Sequence, residues 1–156
     1  MDRPYDRIAC CIDGDGMAED VLREGIRLAD GALGTLSVVH VVPPSHALIA
    51  SSYGYVAPAM EVRGDAEAWL EDVSRGIPEA TRVLLDGFPA REVCAWARSS
   101  GVDIIVAAAH RGVVERVMLG GFAAHIAYHA PCSVLLVHPP AERPATAGAA
   151  EGAAIS

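Results

Sequence analysis

The sequence predicts an α/β fold, a sheet of parallel strands alternating with helices that cover both of its faces. Three observations carry the prediction. Five short apolar runs end in turn residues: "RIACCID", "TLSVVHVV", "TRVLLDG", "DIIVAAA" and "SVLLVH". The segments between them repeat apolar residues every three or four positions, the helical period. The fourth run is apolar throughout, as expected of a strand covered on both faces.

Taken in order, "RIACCID" reads as a buried strand. A helix is predicted from about Met17 to Leu33, with Ala18, Leu22, Ile26, Ala29 and Leu33 on one face and Gly34 as the stop. "TLSVVHVV" is the second strand, closed by Pro43 and Pro44. The stretch from 44 to 63 has little periodicity and reads as a loop; its Ser51, Ser52, Tyr53 and Tyr55 fit a plain exposed loop better than a cover over a pocket. A helix follows from about Gly64 to Arg75, marked by Ala68, Leu70 and Val73. After the third strand, Pro89 suits the first position of a helix that carries Val93, Trp96 and Ala97 and stops at Gly101. The fourth strand leads through "HRGVVERVMLGG" to a helix from about Phe122 to His129, ended by Pro131, and then to the fifth strand. The Pro/Ala/Gly-rich tail from 139 to 156 carries no core signal, and disorder is expected there.

Composition narrows the function. The 156 residues fit one domain, 52 % hydrophobic and 21 % charged, and no apolar run is long enough to span a membrane. "MDRPYDR" contains no apolar secretory core, so the expected location is the cytoplasm. A formal charge of −8 disfavours loose binding to nucleic acid or an anionic membrane. All the basic side chains are arginines; with no lysine, neither a Walker-A lysine nor a Schiff base is available. Cys10, Cys11, Cys94 and Cys132 form no CxxC pair, and adjacent strand residues point to opposite faces, so they read as small buried hydrophobes.

In a doubly wound sheet, ligands bind beyond the carboxyl ends of the strands, where the winding reverses. The loops after strands one and four, Asp13–Gly16 and His110–Gly121, should therefore face each other. Asp13 then edges a pocket, and Asp15 favours the N-terminus of the first helix. A calcium loop beginning at Asp13 fails, because Met17 and Ala18 fall where an oxygen ligand and a glycine belong. Asp13-x-Asp15-Gly16 also resembles the first motif of haloacid-dehalogenase-type phosphatases, with Asp13 as nucleophile, Asp15 as general acid and magnesium as cofactor. No acidic pair follows strand four to hold that magnesium. His125 and His129 lie four apart on a helix, a spacing zinc accepts, but no third ligand is evident. A packed or half-exposed pair is the plainer reading. His110 reads equally as a residue at the pocket mouth or a solvated loop residue, and His40 as structural. No Ser-His-Asp or Cys-His order compels a hydrolase.

Three segments resemble universal stress proteins: "YDRIACCIDGDGMAEDVLREGIRLADGALGTLSVVHVVPP", "LLDGFPAREVCAWARSSGVDIIVAAAHRG" and "HIAYHAPCSVLLV". The likeness runs from about residue 5 to 138 in the same order. It implies a Rossmann-like, adenine nucleotide alpha hydrolase-like domain over residues 1–138. The implied doubly wound five-stranded parallel sheet has order 3-2-1-4-5, and a homodimer forms through the last strand. It further implies a possible ATP site, with Asp13 on the nucleoside, the backbone of Val41 reading adenine, and His110, Arg111, Gly112, Gly120 and Gly121 near the phosphates. The family's phosphate loop has two glycines three residues apart and, ten residues on, Gly-(Ser/Thr). Here Gly120 as the last glycine puts Ala107 and His110 in the first two places, and Gly121 puts Ala108 and Arg111 there. No Ser or Thr follows either glycine, and Asp15 stands where many relatives carry serine. A carboxylate there would repel phosphate unless Arg111 or Arg116 neutralises it. The expectation is a stress-response protein that acts by binding and regulation, needs no obligatory metal and has at most weak ATPase activity. The alternatives are a nucleotide-free dimeric adaptor of the same family and the magnesium phosphatase.

Overall fold

Ile8–Cys11 forms β1, and all four residues are buried. Apolar residues on both faces of one strand require neighbours on both edges and a helix layer on each side. The computed structural model describes residues 3–14, 16–44, 59–109 and 119–139. Within them β2 (Leu36–Val42), β3 (Thr81–Asp86), β4 (Ile104–Ala108) and β5 (Ser133–Val137) join β1 in one sheet of order β3-β2-β1-β4-β5. Every neighbouring pair is parallel, with Cys11 level with Val39 on one side and Ala107 on the other. This is the doubly wound order that the resemblance implied.

Strand alternation sorts the core into two layers. Ile8 and Cys10 pack with Val38, Val106 and Leu36 beneath α1 (Ala18–Ala29) and α2 (Ala59–Val73). Ala9 and Cys11 pack with Val39, Val41, Ile105 and Ala107 beneath α3 (Pro89–Ser100) and α4 (Gly121–His129). The adjacent cysteines therefore belong to different layers. The start of β1 is pinned to β4 by Asp103, whose Oδ2 accepts from the backbone N–H of Asp6 (3.0 Å) and Arg7 (2.9 Å). The Arg7 guanidinium in turn donates to the Ser100 carbonyl at 2.7 Å. Among the described residues no helix is long and apolar enough to cross a membrane.

The element boundaries differ from expectation in two places. The first helix stops at Ala29 rather than Leu33, because Asp30 (φ 46°) and Gly31 (φ 84°) take the left-handed conformation. A single 3-10 turn, Leu33–Thr35, follows. The second helix begins at Ala59, inside the stretch read as a loop. The expected core faces also shift. Ile26 is exposed, and Ala68 gives way to Trp69, which packs against the core. Ser51, Ser52, Tyr53, Tyr55 and the tail lie outside the described residues.

Gly25 explains the turn of α1. A Cβ built there would lie 2.1 Å from Cys10 Sγ and 3.3 Å from Leu36 Cδ2. The helix crosses β1 and β2 so closely that this position has no room for a side chain, and Ile26 is carried outward. Gly25→Ala is expected to destabilise by about 1–3 kcal/mol through overpacking. Adding Cys10→Ala, which removes the clashing sulfur, should recover part of the loss, as read by urea midpoints in a double-mutant cycle.

Burial pushes the Cys10 thiol up to about 12 from its ordinary 9.0 and raises Cys11 further. Unfolding returns both thiols to their ordinary range. The unfolded chain therefore loses thiol protons above about pH 9 while the folded chain keeps them. Stability should be full below pH 9 and fall as pH rises toward 12, by about 1.4 kcal/mol per pH unit per thiol. Urea midpoints from pH 8 to 10 should decline, and less steeply in Cys10→Ala.

Candidate functional site

The winding reverses between β1 and β4, since β1 leads outward to β2 and β3 while β4 leads to β5 on the other side. Asp13 follows β1 and is half-buried. Cys11 is level with Ala107, and Asp13 and Ala109 each lie two residues beyond these paired positions on neighbouring strands. Adjacent strands lie about 4.8 Å apart. Asp13 and the start of the loop after β4 thus share one rim. Asp15, His110, Arg111, Gly112 and Arg116 lie outside the described residues.

Two hydrogen bonds fix the chain just before Asp13. The Ile12 N–H donates to the Val39 carbonyl at 2.9 Å, extending the β1–β2 ladder by one bond. The Ile12 carbonyl is 2.9 Å from His40 Nδ1. A carbonyl only accepts, so Nδ1 carries the proton and donates. The other side of the imidazole is set by Trp69 of α2, edge to face with ring centres 4.8 Å apart and planes at 62°. A histidine read as merely structural is therefore the brace between α2 and the turn that carries Asp13. Its place at the end of the second strand was visible in the sequence, but its acceptor on a different strand was not.

Val41 is buried in β2 one residue further on. Backbone groups of alternate strand residues face the same edge, so Val41 presents its N–H and C=O on the side where Val39 meets β1. β1 has already turned away at that level. Among the described residues no hydrogen bond reaches Val41 from that side. The sheet edge there is a short run of directional donor and acceptor groups beside Asp13.

The third wall is the start of α4. Ala109 donates to the Val137 carbonyl at 2.8 Å, and its own carbonyl accepts from the Gly120 N–H at 3.0 Å. That bond returns the chain to the end of β4, so α4 begins at the rim. Gly120 is the N-cap, and no side chain caps the helix. The first intrahelical bond among the described ones runs from Ala124 N–H to the Gly120 carbonyl. The N–H groups of the first turn thus add to the positive end of the helix dipole, and the N-cap glycine offers them no side chain. A Cβ on Gly121 would meet none of the described residues within 4 Å. N–H groups at the start of a helix are what an anion needs.

Of the residues singled out from the sequence, Asp13, Val41, Gly120 and Gly121 come to this rim. The thiols do not supply chemistry there, as burial raises all four and leaves them protonated at neutral pH. His125 and His129 sit away from it, in the later turns of α4.

The sequence model of the Universal stress protein family matches residues 4–138. The chain belongs to this family. Solved universal stress proteins share its fold at low identity. UspA from Lactobacillus plantarum is 21 % identical with a TM-score of 0.61, over 85 % of this chain and 97 % of that one. A family protein from Arabidopsis thaliana with AMP bound is 14 % identical with a TM-score of 0.56, over 90 % and 97 %. A universal stress protein in complex with cAMP is 19 % identical with a TM-score of 0.56, over 86 % and 97 %.

In this universal stress protein, His40→Phe keeps an aromatic ring against Trp69 but leaves the Ile12 carbonyl without its donor. The expected cost is about 1–3 kcal/mol for an unsatisfied buried acceptor. Amide exchange at Asp13 and Gly14 should speed up more than at β3 or β5, as read by hydrogen-exchange mass spectrometry or NMR.

Proposed function

We propose that this universal stress protein binds an adenine mononucleotide at the rim between β1 and β4 and acts as a regulatory binder rather than by turnover. The supporting observation is that two sets of backbone groups, unpaired among the described residues, lie at the rim that carries Asp13. The β2 edge at Val41 offers a donor and an acceptor of the kind a flat purine edge pairs with. The uncapped start of α4 at Gly120 and Gly121 offers N–H groups and a positive dipole end for a phosphate. Asp13, which follows β1 at the same rim, is the residue assigned to the ribose hydroxyls. The AMP and cAMP complexes of relatives support the same ligand class.

The wall after Gly121 argues for one phosphate rather than three. Phe122 follows where the family loop has a hydroxyl, so a donor for an outer phosphate is missing. A net charge of −8 adds a general penalty for each further negative group. ATP is accordingly the weaker ligand in this reading. The regulatory unit is a homodimer through β5. That strand is a sheet edge of sequence SVLLV, with no charge to discourage pairing.

Equilibrium dialysis with AMP, cAMP and ATP, each with and without magnesium, tests the ligand. AMP or cAMP should bind more tightly than ATP, and Asp13→Ala should weaken binding roughly 10- to 100-fold, the worth of a charge-assisted hydrogen bond. Binding unchanged in Asp13→Ala would contradict the site. No binding of any of the three would favour the nucleotide-free adaptor. Phosphatase turnover lost in the same variant would favour magnesium-dependent hydrolysis.

A further inference from the structure

His125 and His129 stand one turn apart on α4 and both are exposed. Their ring centres are 4.5 Å apart and their planes are tilted by 45°. Among the described residues, neither ring has a hydrogen bond or ion pair with another residue. We propose that this pair is a two-imidazole chelate for a divalent late first-row metal ion, nickel or copper in preference to zinc.

The spacing carries the proposal. Residues four apart on a helix face the same way, with Cβ atoms about 5–6 Å apart. An imidazole nitrogen sits about 2.1 Å from such an ion, which puts the ring centre about 3.2 Å away. Two rings at a right angle about one ion then have centres about 4.5 Å apart, whereas the tetrahedral angle of zinc requires about 5.2 Å. The observed 4.5 Å lets both rings reach one ion, and the preference for nickel and copper rests on the order in which divalent ions bind nitrogen ligands. Cis positions of a tetragonal or octahedral ion are the geometry of copper(II) and nickel(II), which also bind nitrogen ligands more tightly than earlier metals of the row.

Water would complete the coordination shell beyond the two imidazoles. Among the described residues no group of three or more His, Cys, Asp or Glu is arranged to hold a metal. The site is therefore open and exchangeable. It is not built for hydrolysis either, since Ile126 follows the first histidine where a zinc protease helix carries its glutamate base. What a bound ion does is tie the last two turns of α4 together. A nine-residue helix is too short to be stable by itself, so a cross-link between its turns stabilises the fold. The unfolded chain does not hold the two rings together, so binding favours the native state.

Nickel is the probe, because copper(II) is reduced by free thiols and this chain has four. Isothermal titration with nickel chloride at pH 7.5 should give one ion per chain. Paramagnetic broadening in 15N spectra should centre on residues 122–132. His125→Ala and His129→Ala should each weaken binding at least tenfold, while circular dichroism confirms the fold, since both side chains are exposed. The thermal midpoint should rise by about 5–10 °C at a hundredfold excess over the dissociation constant. Affinity unchanged in either single variant overturns the proposal, as does one ion shared by two chains, zinc bound more tightly than nickel, or no binding at millimolar nickel. None of these readouts depends on whether a nucleotide binds.

Discussion

The burial of β1 on both faces and both edges is the constraint on which the rest depends. Four small or branched residues, Ile8–Cys11, are shared between two helix layers and are buried in both. The Gly25–Cys10 contact is the tightest expression of this. The connection that follows β1 runs to β2 on one side and the connection that follows its other neighbour, β4, runs to β5 on the opposite side, so the two crossovers part at the carboxyl ends of β1 and β4. The rim at Asp13 is thus a consequence of topology, present before any ligand chemistry is considered.

Among the described residues, the groups singled out at that rim are mostly backbone. Val41 contributes a strand edge that outlasts its neighbour, and Gly120–Gly121 contribute a helix start without a side-chain cap. Backbone groups are held by the elements they belong to, so they need little reorganisation to meet a ligand. The side chains near them hold the framework. His40 fastens the Ile12 carbonyl, and Trp69 fastens His40. On the outer side of the same layer, Arg63 pairs with Asp86 at the end of β3 and with Glu67 on its own helix, tying α2 to the sheet. Exposed pairs of this kind contribute little energy, and their effect is orientation.

Much of the fold was legible because period and punctuation agreed. The alternation of apolar runs with helical segments gave the α/β class, and Pro89 and Gly101 framed α3 as read. The strand order was not a property of the periodicity and came through family likeness. Boundaries failed where local conformation overrode pattern. The left-handed Asp30 ended α1 early, and α2 began inside a stretch whose weak amphipathicity hid it. Ile26 illustrates a subtler failure. Its spacing fitted the apolar stripe, but the closest approach to the sheet falls at Gly25, which a search for apolar residues does not weigh. At the site, Asp13 and Gly120–Gly121 were readable as turn residues after buried strands. The His40–Ile12 bond joins residues far apart in sequence, and only the register brings them together.

The most direct test is a 15N NMR titration of the protein with AMP. The account predicts saturable shifts concentrated at Asp13, Gly14, Val41, Gly120 and Gly121, with the outer strands little changed. Shifts that saturate elsewhere, for example along β3 or β5, with the rim silent, would contradict it.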